Sequence, residues 1–274
     1  MCSVSLIARQ SVIYPLAGGK IVVDHYDRVS RSLFLRGRFE SEVVAALKKY
    51  LSPGMTFFDV GANIGLFSII ASQLVGPLGK VHTFEPDPRN FRRLTRNIAI
   101  SHFSNVILNQ LALLDKNGTI SLRSVAEDGL GMFSTVGEPL RGVPPTIRTS
   151  EKTLTQEVTC STLEEYAIHH RVERIDLVKV DVEGAELSVL RGCEQLLKRK
   201  DAPVLIVEFN RVTSGVLGYD LVTLRRYVES LGYILYRITE NGTLSKLGNV
   251  LGISRYENLV AVKPAHSQRK VRSA

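Results

Sequence analysis

The stretch FFDVGANIGLFS, residues 57 to 68, decides the fold. It is typical of a buried strand, a tight turn that contains Gly61 and Gly65, and the start of an amphipathic helix. Glycine lets the backbone of such a turn approach a ligand, and the N–H groups at the start of the helix are free to donate. The segment therefore predicts a ligand site at the end of its strand.

Strands and helices alternate along the chain around this segment, which predicts an α/β domain with a doubly wound, seven-stranded sheet of the Rossmann-like type. The predicted strands are Thr56 to Val60, Val81 to Phe84, Val106 to Gln110, Asp176 to Val180, Val204 to Phe209, Tyr233 to Ile238 and Asn258 to Val262. The predicted helices are Ser41 to Leu51, Ile64 to Leu74, Asn90 to Ile100, Glu183 to Lys198 and Leu221 to Leu231. A turn around Asn241 and Gly242 is expected to join the last two strands as an antiparallel hairpin.

Three segments fall outside this alternation. Residues 1–40 are predicted to be an extension of short strands or loops, before a domain that spans residues 41–263. Residues 111–175 form an insertion before the fourth strand, with strands expected at Thr119 to Val125 and Gln156 to Cys160 and a helix from Thr162 to His169. Within it, Glu127 to Ser150 is rich in Gly, Pro, Ser and Thr and is predicted to be a substrate loop. Residues 264–274 are expected to be a flexible basic tail.

Composition limits the class of protein. No apolar run approaches the roughly 20 residues of a membrane-spanning helix, and no signal peptide is recognised, so a cytoplasmic protein is expected. The three cysteines are too far apart for a zinc site. The net charge of +8 would suit nucleic acid, a phosphate-bearing substrate or peripheral contact with an anionic membrane. The arginines at 89, 92, 93 and 96 form one stripe on a predicted helix, which is the normal solvated face of an amphipathic helix.

Acidic residues at successive strand ends indicate the kind of ligand. The glycine spacing is G-x-x-x-G, which differs from the dinucleotide fingerprint. Asp59 would repel a pyrophosphate but attract ammonium and sulfonium charges. Glu85 follows the second strand, where a carboxylate can accept both ribose hydroxyls. Asn63 is placed to contact a carboxylate or to stabilise the turn, and Gln110 to Ala112 would lie near an adenine. The pattern favours a nucleoside ligand.

A second cluster of charged residues follows the fourth strand in IDLVKVDVEGAELSVL, residues 175 to 190. Alternation places Lys179 and Asp181 on one side of this strand, so Lys179 is expected to reach toward a carboxylate or the site. Glu183 and Glu208 also lie at strand ends, and three carboxylates therefore converge on one cleft. Alternatively, Glu183 and Glu186 complement the positive N-terminus of the following helix.

The chain resembles the FkbM family of methyltransferases. The resemblance rests on FESEVVAALKKYLSPGMTFFDVGANIGLFS, FEPDPRNFRRLTRNI, LALLDKNGTISL, STLEEY and IDLVKVDVEGAELSVLRG. It implies S-adenosyl-L-methionine as the methyl donor and O-methylation of a sugar, glycan or secondary metabolite. The donor site that it implies comprises Asp59, Gly61, Ala62, Asn63, Gly65 and Glu85, with Glu40 and the segment from Asp181 to Glu183 beside the pocket.

For the chemistry, Asp181 is the first candidate for the general base, with Glu183 and Glu208 as alternatives and Lys179 tuning their charge. The same carboxylates could instead hold Mg²⁺, which we rank lower because no separate ligand cluster points to a metal.

Two other functions compete with O-methylation of a small molecule or glycan. A nucleic-acid methyltransferase suits the charge, but no base-stacking platform is evident and nucleic acid is not expected as a partner. The third possibility is a catalytically silent module that binds S-adenosylmethionine.

Overall fold

The computed structural model describes residues 11–16, 18–23, 28–125, 131–133, 153–248 and 256–264. The predicted substrate loop lies outside the described residues except for a short strand at Gly131–Phe133. The predicted basic tail lies outside them as well, apart from residue 264. Among the described helices, none combines the length and the apolar character that crossing a bilayer requires.

The strands and helices of these residues lie close to their predicted positions. In chain order the strands are β1 (Val12–Leu16), β2 (Gly19–Val23), β3 (Thr56–Val60), β4 (Lys80–Phe84), β5 (Val106–Asn109), β6 (Ala112–Leu113), β7 (Gly118–Val125), β8 (Gly131–Phe133), β9 (Thr153–Ser161), β10 (Leu177–Val180), β11 (Val204–Asn210), β12 (Ile234–Ile238), β13 (Leu244–Lys246) and β14 (Tyr256–Val262). The helices are Arg28–Arg36, Ser41–Tyr50, Leu66–Val75, Pro88–Ser101, Leu163–His169, Glu186–Arg191, Glu194–Lys198, Arg211–Val216 and Leu221–Ser230.

The central sheet has the strand order β13-β12-β14-β11-β10-β3-β4-β5. Strands β5, β4, β3, β10 and β11 run parallel, and β14 is antiparallel to both β11 and β12. The seven predicted strands are therefore confirmed, and a three-residue edge strand, β13, extends the sheet. The predicted antiparallel pairing of the last two strands is confirmed, since β12 pairs with β14. The connection between them is longer than a simple hairpin: the turn at residues 239–243 leads first into β13, and β14 inserts between β11 and β12.

Hydrophobic cores cover both faces of this sheet because successive side chains of each strand point to opposite faces. Phe57 and Leu177 face a core shared with helices Ser41–Tyr50, Leu66–Val75 and Pro88–Ser101. Their neighbours Phe58 and Val178 face the other core. The insertion forms a separate sheet of order β6-β9-β7-β8, and its buried side chains join this second core.

Three helical segments differ from the prediction. Residues 28–36 form a helix, because Val29 and Leu33 are four residues apart and bury the same face. Residues 211–216, rich in β-branched residues and glycine, were not predicted to be helical, but Asn210 caps them by accepting from the backbone N–H of Val212.

The predicted helix over residues 183–198 consists of two short helices, Glu186–Arg191 and Glu194–Lys198. It starts later than expected because Glu183 and Gly184 adopt left-handed φ angles of 54° and 106°. It is interrupted beside Gly192, where a Cβ atom would lie 1.9 Å from the carbonyl oxygen of Leu114. Close backbone packing there overrides the helical pattern of the sequence.

One buried amide ties the N-terminal hairpin to the rest of the fold. Asn97 lies in helix Pro88–Ser101 and is 1% exposed. Its Oδ1 accepts from the backbone N–H of Val22 in β2 at 2.9 Å, and its Nδ2 donates to the carbonyl of Ile64 at 2.7 Å. Asn97 therefore connects β2 with the glycine-containing turn that follows β3.

The variant Asn97→Ala is expected to lower the free energy of unfolding by about 2 to 4 kcal/mol, because it leaves a buried N–H and a buried carbonyl without partners. Urea denaturation followed by circular dichroism measures this loss. Exposed Arg96 on the same helix supplies the control, since Arg96→Ala should change stability by no more than about 0.5 kcal/mol. Equal stability of the two variants would contradict the tethering role.

Candidate active site

The turn after β3 brings three strand ends together. The backbone N–H groups of Gly61 and Ala62 both donate to the carbonyl of Phe84 at the end of β4, at 3.0 Å. Gly61 has a φ of 84°, and a Cβ atom there would lie 1.8 Å from the carbonyl oxygen of Asp181. Gly65, with a φ of 91°, immediately precedes helix Leu66–Val75. Only glycine fits at position 61, so the turn lies directly against the end of β10.

Glu85 lies at the end of β4 with its carboxylate turned toward this turn. Its Oε2 accepts from the backbone N–H of Asn63 at 2.8 Å, and its Oε1 accepts from that of Asp87 at 2.9 Å. The side chain is 6% exposed, and burial raises its pKa to about 7 despite these hydrogen bonds. The side chain of Asn90 also hydrogen-bonds to this carboxylate, so of its roughly four lone pairs about one remains able to accept from a ligand hydroxyl.

Asp59 and Asn63 each keep one acceptor oxygen without a partner. Asp59 is fully buried, and its Oδ2 accepts from the hydroxyl of Ser68 at 2.5 Å, while its Oδ1 has no partner. Burial raises the pKa of Asp59, and nearby Lys179 opposes that shift. Asn63 has a left-handed φ of 51°, and its Oδ1 is also unpartnered. Neither oxygen has a hydrogen-bond donor among the described residues, so each is open to a donor from a ligand.

Lys179 lies at the centre of the charged residues. Its Nζ donates to Asp181 Oδ2 at 2.8 Å and lies 5.0 Å from the centroid of the Phe67 ring, and the side chain is 1% exposed. Burial by itself lowers the pKa of Lys179, but the carboxylates of Asp181, Asp59 and Glu40 outweigh burial and raise it. The prediction that Lys179 reaches a carboxylate is confirmed.

Glu40 reaches the same region from the start of helix Ser41–Tyr50. It has a left-handed φ of 42°, and its Oε1 accepts from the hydroxyl of Tyr256 on β14. Its Oε2 has no hydrogen-bond partner among the described residues. Burial raises the pKa of Glu40 to about 7, and the negative charge of Asp181 adds to this shift. The pair thus joins two segments that are 216 residues apart in the chain.

Two further buried acceptors come from β11 and β14. Glu208 is 2% exposed with an unpartnered Oε2, and burial together with the charge of Asp181 raises its pKa well above the usual value. Asn258, which pairs with Glu208 across the strands, is 5% exposed. Its Nδ2 lies within 3.5 Å of Glu42 Oε1, and its Oδ1 is unpartnered.

The remaining predicted residues lie around this cluster. Glu186 supports the turn before its helix, since its Oε1 accepts from the N–H groups of Val182 and Gly184 at 3.0 Å. Glu183 lies half-buried in that turn. Gln110 is exposed just after β5, whereas the side chain of Ala112 is buried in the core. Sequence reasoning missed Tyr256 and Asn258, although both alternate with the buried Val260 and Val262 of β14 and so share their face.

The unsatisfied atoms define the site. Six buried side-chain nitrogen or oxygen atoms of the described residues lack a hydrogen-bond partner, and five of them lie at this edge of the sheet. Buried polar groups are rarely left unpaired, so the edge fits a ligand that carries hydroxyl or ammonium donors. Among the described residues, no group of three or more His, Cys, Asp or Glu side chains is arranged to hold a metal ion. The five residues are Glu40, Asp59, Asn63, Glu208 and Asn258.

Open, doubly wound sheets bind their ligands at the carboxyl ends of the strands, and the residues described above lie at that edge. The model of the FkbM methyltransferase domain matches residues 59–235, and the chain belongs to this family. The resemblance found in the sequence is confirmed.

Similar proteins of known name come from several organisms. The chain is 30% identical over 194 residues to the hexuronic acid methyltransferase AglP of Haloferax volcanii, covering 69% of this chain and 71% of that protein. It is 28% identical to Methyltransferase 1 of Beauveria bassiana, in a match that covers 50% of this chain and 57% of that protein. It is 30% identical to the 31-O-demethyl-FK506 methyltransferase FkbM of Streptomyces tacrolimicus, in a match that covers 53% of this chain and 61% of that protein. The matched part thus spans 57% to 71% of the length of these relatives.

The raised pKa of Glu40 makes stability depend on pH. The folded-state pKa of about 7 exceeds the ordinary value of 4.5, so the protonated form favours folding. Its stabilising effect is fully present below pH 4.5 and is lost as the pH rises to about 7. Glu40→Gln should therefore match the wild type at pH 4 and exceed its free energy of unfolding by about 1 to 3 kcal/mol above pH 7.

Urea denaturation of the ligand-free protein between pH 4 and pH 8 measures this difference. Glu157→Gln on the exposed side of β9 is the matched control and should follow the wild type at every pH. A constant difference between Glu40→Gln and the wild type across that range would show that burial of this carboxyl is not coupled to its ionisation.

Proposed function

We propose that this protein is an S-adenosyl-L-methionine-dependent O-methyltransferase that acts on a hydroxyl of a sugar, glycan or secondary metabolite. The single observation that carries the proposal is the row of unsatisfied buried acceptors beside the glycine turn, in a chain of the FkbM methyltransferase family. Two relatives support the acceptor class, because one is named for a hexuronic acid and the other for 31-O-demethyl-FK506.

The donor half of the proposed site lies between the ends of β3 and β4. Glu85 would accept from a ribose hydroxyl, since its carboxylate faces the turn and its three protein donors leave room for a further one. The backbone of Gly61 and Ala62 can approach the ligand closely because position 61 carries no side chain. Asn63 offers its unpartnered Oδ1 to an ammonium group, and Asp59 contributes a buried negative charge behind the turn. Gly65 has no side chain that would cover the N-terminus of helix Leu66–Val75, so a ligand could approach the N–H groups there.

The acceptor half of the proposed site begins at Asp181. Lys179 holds Asp181 Oδ2 at 2.8 Å, which orients the carboxylate and leaves Oδ1 for a ligand. The Asp181 side chain retains 19% exposure, unlike the fully buried Asp59. When bound, S-adenosylmethionine would supply a sulfonium methyl group that passes to the acceptor oxygen, with S-adenosylhomocysteine released and the hydroxyl proton taken up by a carboxylate. In this proposal Asp181 takes that proton, with Glu183 and Glu208 as alternatives.

The electrostatics of the cleft argue against a nucleic-acid acceptor. Exposed Arg92 and Arg96 lie on helix Pro88–Ser101, whereas the groups that surround Asp181 are mainly carboxylates. Carboxylates repel the phosphates of a nucleic acid, so the overall positive charge of the chain is not concentrated where the acceptor would react. A small or glycan acceptor suits this site better.

The variant Asp181→Asn is expected to lower turnover by about 10² to 10⁴, which is the usual contribution of a general base, while donor affinity changes by less than about threefold. Single-turnover transfer from isotopically labelled S-adenosylmethionine to an acceptor, with donor binding measured in parallel, separates the two effects. Glu157→Gln is the control. Normal turnover by Asp181→Asn would exclude Asp181 as the base. Loss of activity with a chelator would assign Mg²⁺ to the carboxylates instead. Donor binding by the wild type without transfer to any acceptor would indicate a silent binding module.

A further inference from the structure

A row of polar side chains continues beyond the proposed donor site across three strands. In β10 and β11, Val180 pairs with Val207, so the residues that follow, Asp181 and Glu208, are neighbours on one face. In β11 and β14, Glu208 pairs with Asn258. Adjacent strands are about 4.8 Å apart, and the row from Asp181 to Asn258 therefore spans roughly 10 Å. This length corresponds to a monosaccharide with its substituents.

Two members of this row present acceptors that nothing in the described protein satisfies. Glu208 is 2% exposed and its Oε2 is unpartnered; Asn258 is 5% exposed and its Oδ1 is unpartnered. The unpartnered Oε2 of Glu40 joins them from the start of helix Ser41–Tyr50. When Glu208 and Glu40 are ionised, the three atoms are acceptors for donors from a ligand, and a carboxyl that keeps its proton donates to a ligand oxygen instead.

Neighbouring contacts fix which atoms remain open. The Tyr256 hydroxyl donates to Glu40 Oε1, which leaves Oε2 as the open atom. The Asn258 amide has its Nδ2 within 3.5 Å of Glu42 Oε1, so its oxygen is the atom left for a ligand. Tyr256 and Asn258 lie outside residues 59–235, which the family model matches. The region is therefore built partly by residues outside the matched range.

We propose that Glu208, Asn258 and Glu40, with Glu40 oriented by Tyr256, form a subsite that binds adjacent hydroxyl groups of a neutral polyhydroxylated acceptor. The inference rests on the proposed function and adds the charge and the recognition pattern of the acceptor. A hydroxyl donates to one carboxylate or amide oxygen, and a ring with vicinal hydroxyls can satisfy several acceptors together. An anionic acceptor, such as the hexuronic acid for which one relative is named, is disfavoured in this chain. Asp181 already pairs with Lys179, which leaves no second described cation among the contacts of these acceptors.

The test uses the full chain saturated with S-adenosylhomocysteine and ligand-observed NMR. The probes are methyl α-glucopyranoside, which is neutral, methyl α-glucuronopyranoside, which is anionic, and cyclohexanol, which has a single hydroxyl. We expect the neutral glycoside to bind at least about tenfold more tightly than either other probe. Asn258→Leu should weaken its binding about five- to tenfold, the effect of one lost hydrogen bond, and Tyr256→Phe should weaken it about two- to fivefold.

Tyr236→Phe on β12 is the matched control and should bind the glycoside as the wild type does. All three variants should bind S-adenosylhomocysteine within about twofold of the wild type. If S-adenosylhomocysteine does not bind the wild type, the proposed function itself fails. If it binds, the subsite is refuted by absent glycoside binding, by equal binding of the glucuronoside, or by variants at 256 and 258 that weaken the donor product instead of the glycoside.

Discussion

The candidate site depends on one buried ammonium group. Lys179 is enclosed between Asp181, which it contacts at 2.8 Å, the fully buried Asp59, and the ring of Phe67. Removing an ion from water costs several kcal/mol, and an ion pair inside a protein offsets this only when its partners are well placed. Without Lys179, the carboxylates at the ends of β3 and β10 would repel one another. The positive charge of Lys179 offsets this repulsion, and its hydrogen bond orients the carboxylate of Asp181.

Backbone packing determines how close the two halves of the site lie. Gly61 contacts the carbonyl of Asp181 so closely that any side chain would collide with it, and Gly184 is packed in the same way against the carbonyl of Thr213. These contacts place the turn after β3 beside the strand end that carries Asp181. In the proposed function, a donor held by the turn and an acceptor held by β11 and β14 would then meet beside Asp181.

The sequence predicted the parallel strands and the acidic residues at their ends, because alternation and glycine spacing are local patterns. It did not predict Tyr256, whose contact with Glu40 joins segments 216 residues apart and leaves no trace in local spacing. The single helix expected from Glu183 to Lys198 starts three residues later and is divided in two. Left-handed geometry at Glu183 delays its start, and close packing of Gly192 on Leu114 interrupts it. Tertiary contacts of this kind join residues that no local sequence pattern relates.

The central claim is that the ends of β3 and β4 bind S-adenosylmethionine, and calorimetric titration tests it most directly. We expect a dissociation constant of micromolar to tens of micromolar, roughly 6 to 8 kcal/mol. Glu85→Ala should weaken binding about ten- to a hundredfold, since a charge-assisted hydrogen bond contributes about 1.5 to 3 kcal/mol, and Glu157→Ala should leave it unchanged. No binding by the wild type, or binding of NAD in place of S-adenosylmethionine, would contradict the account.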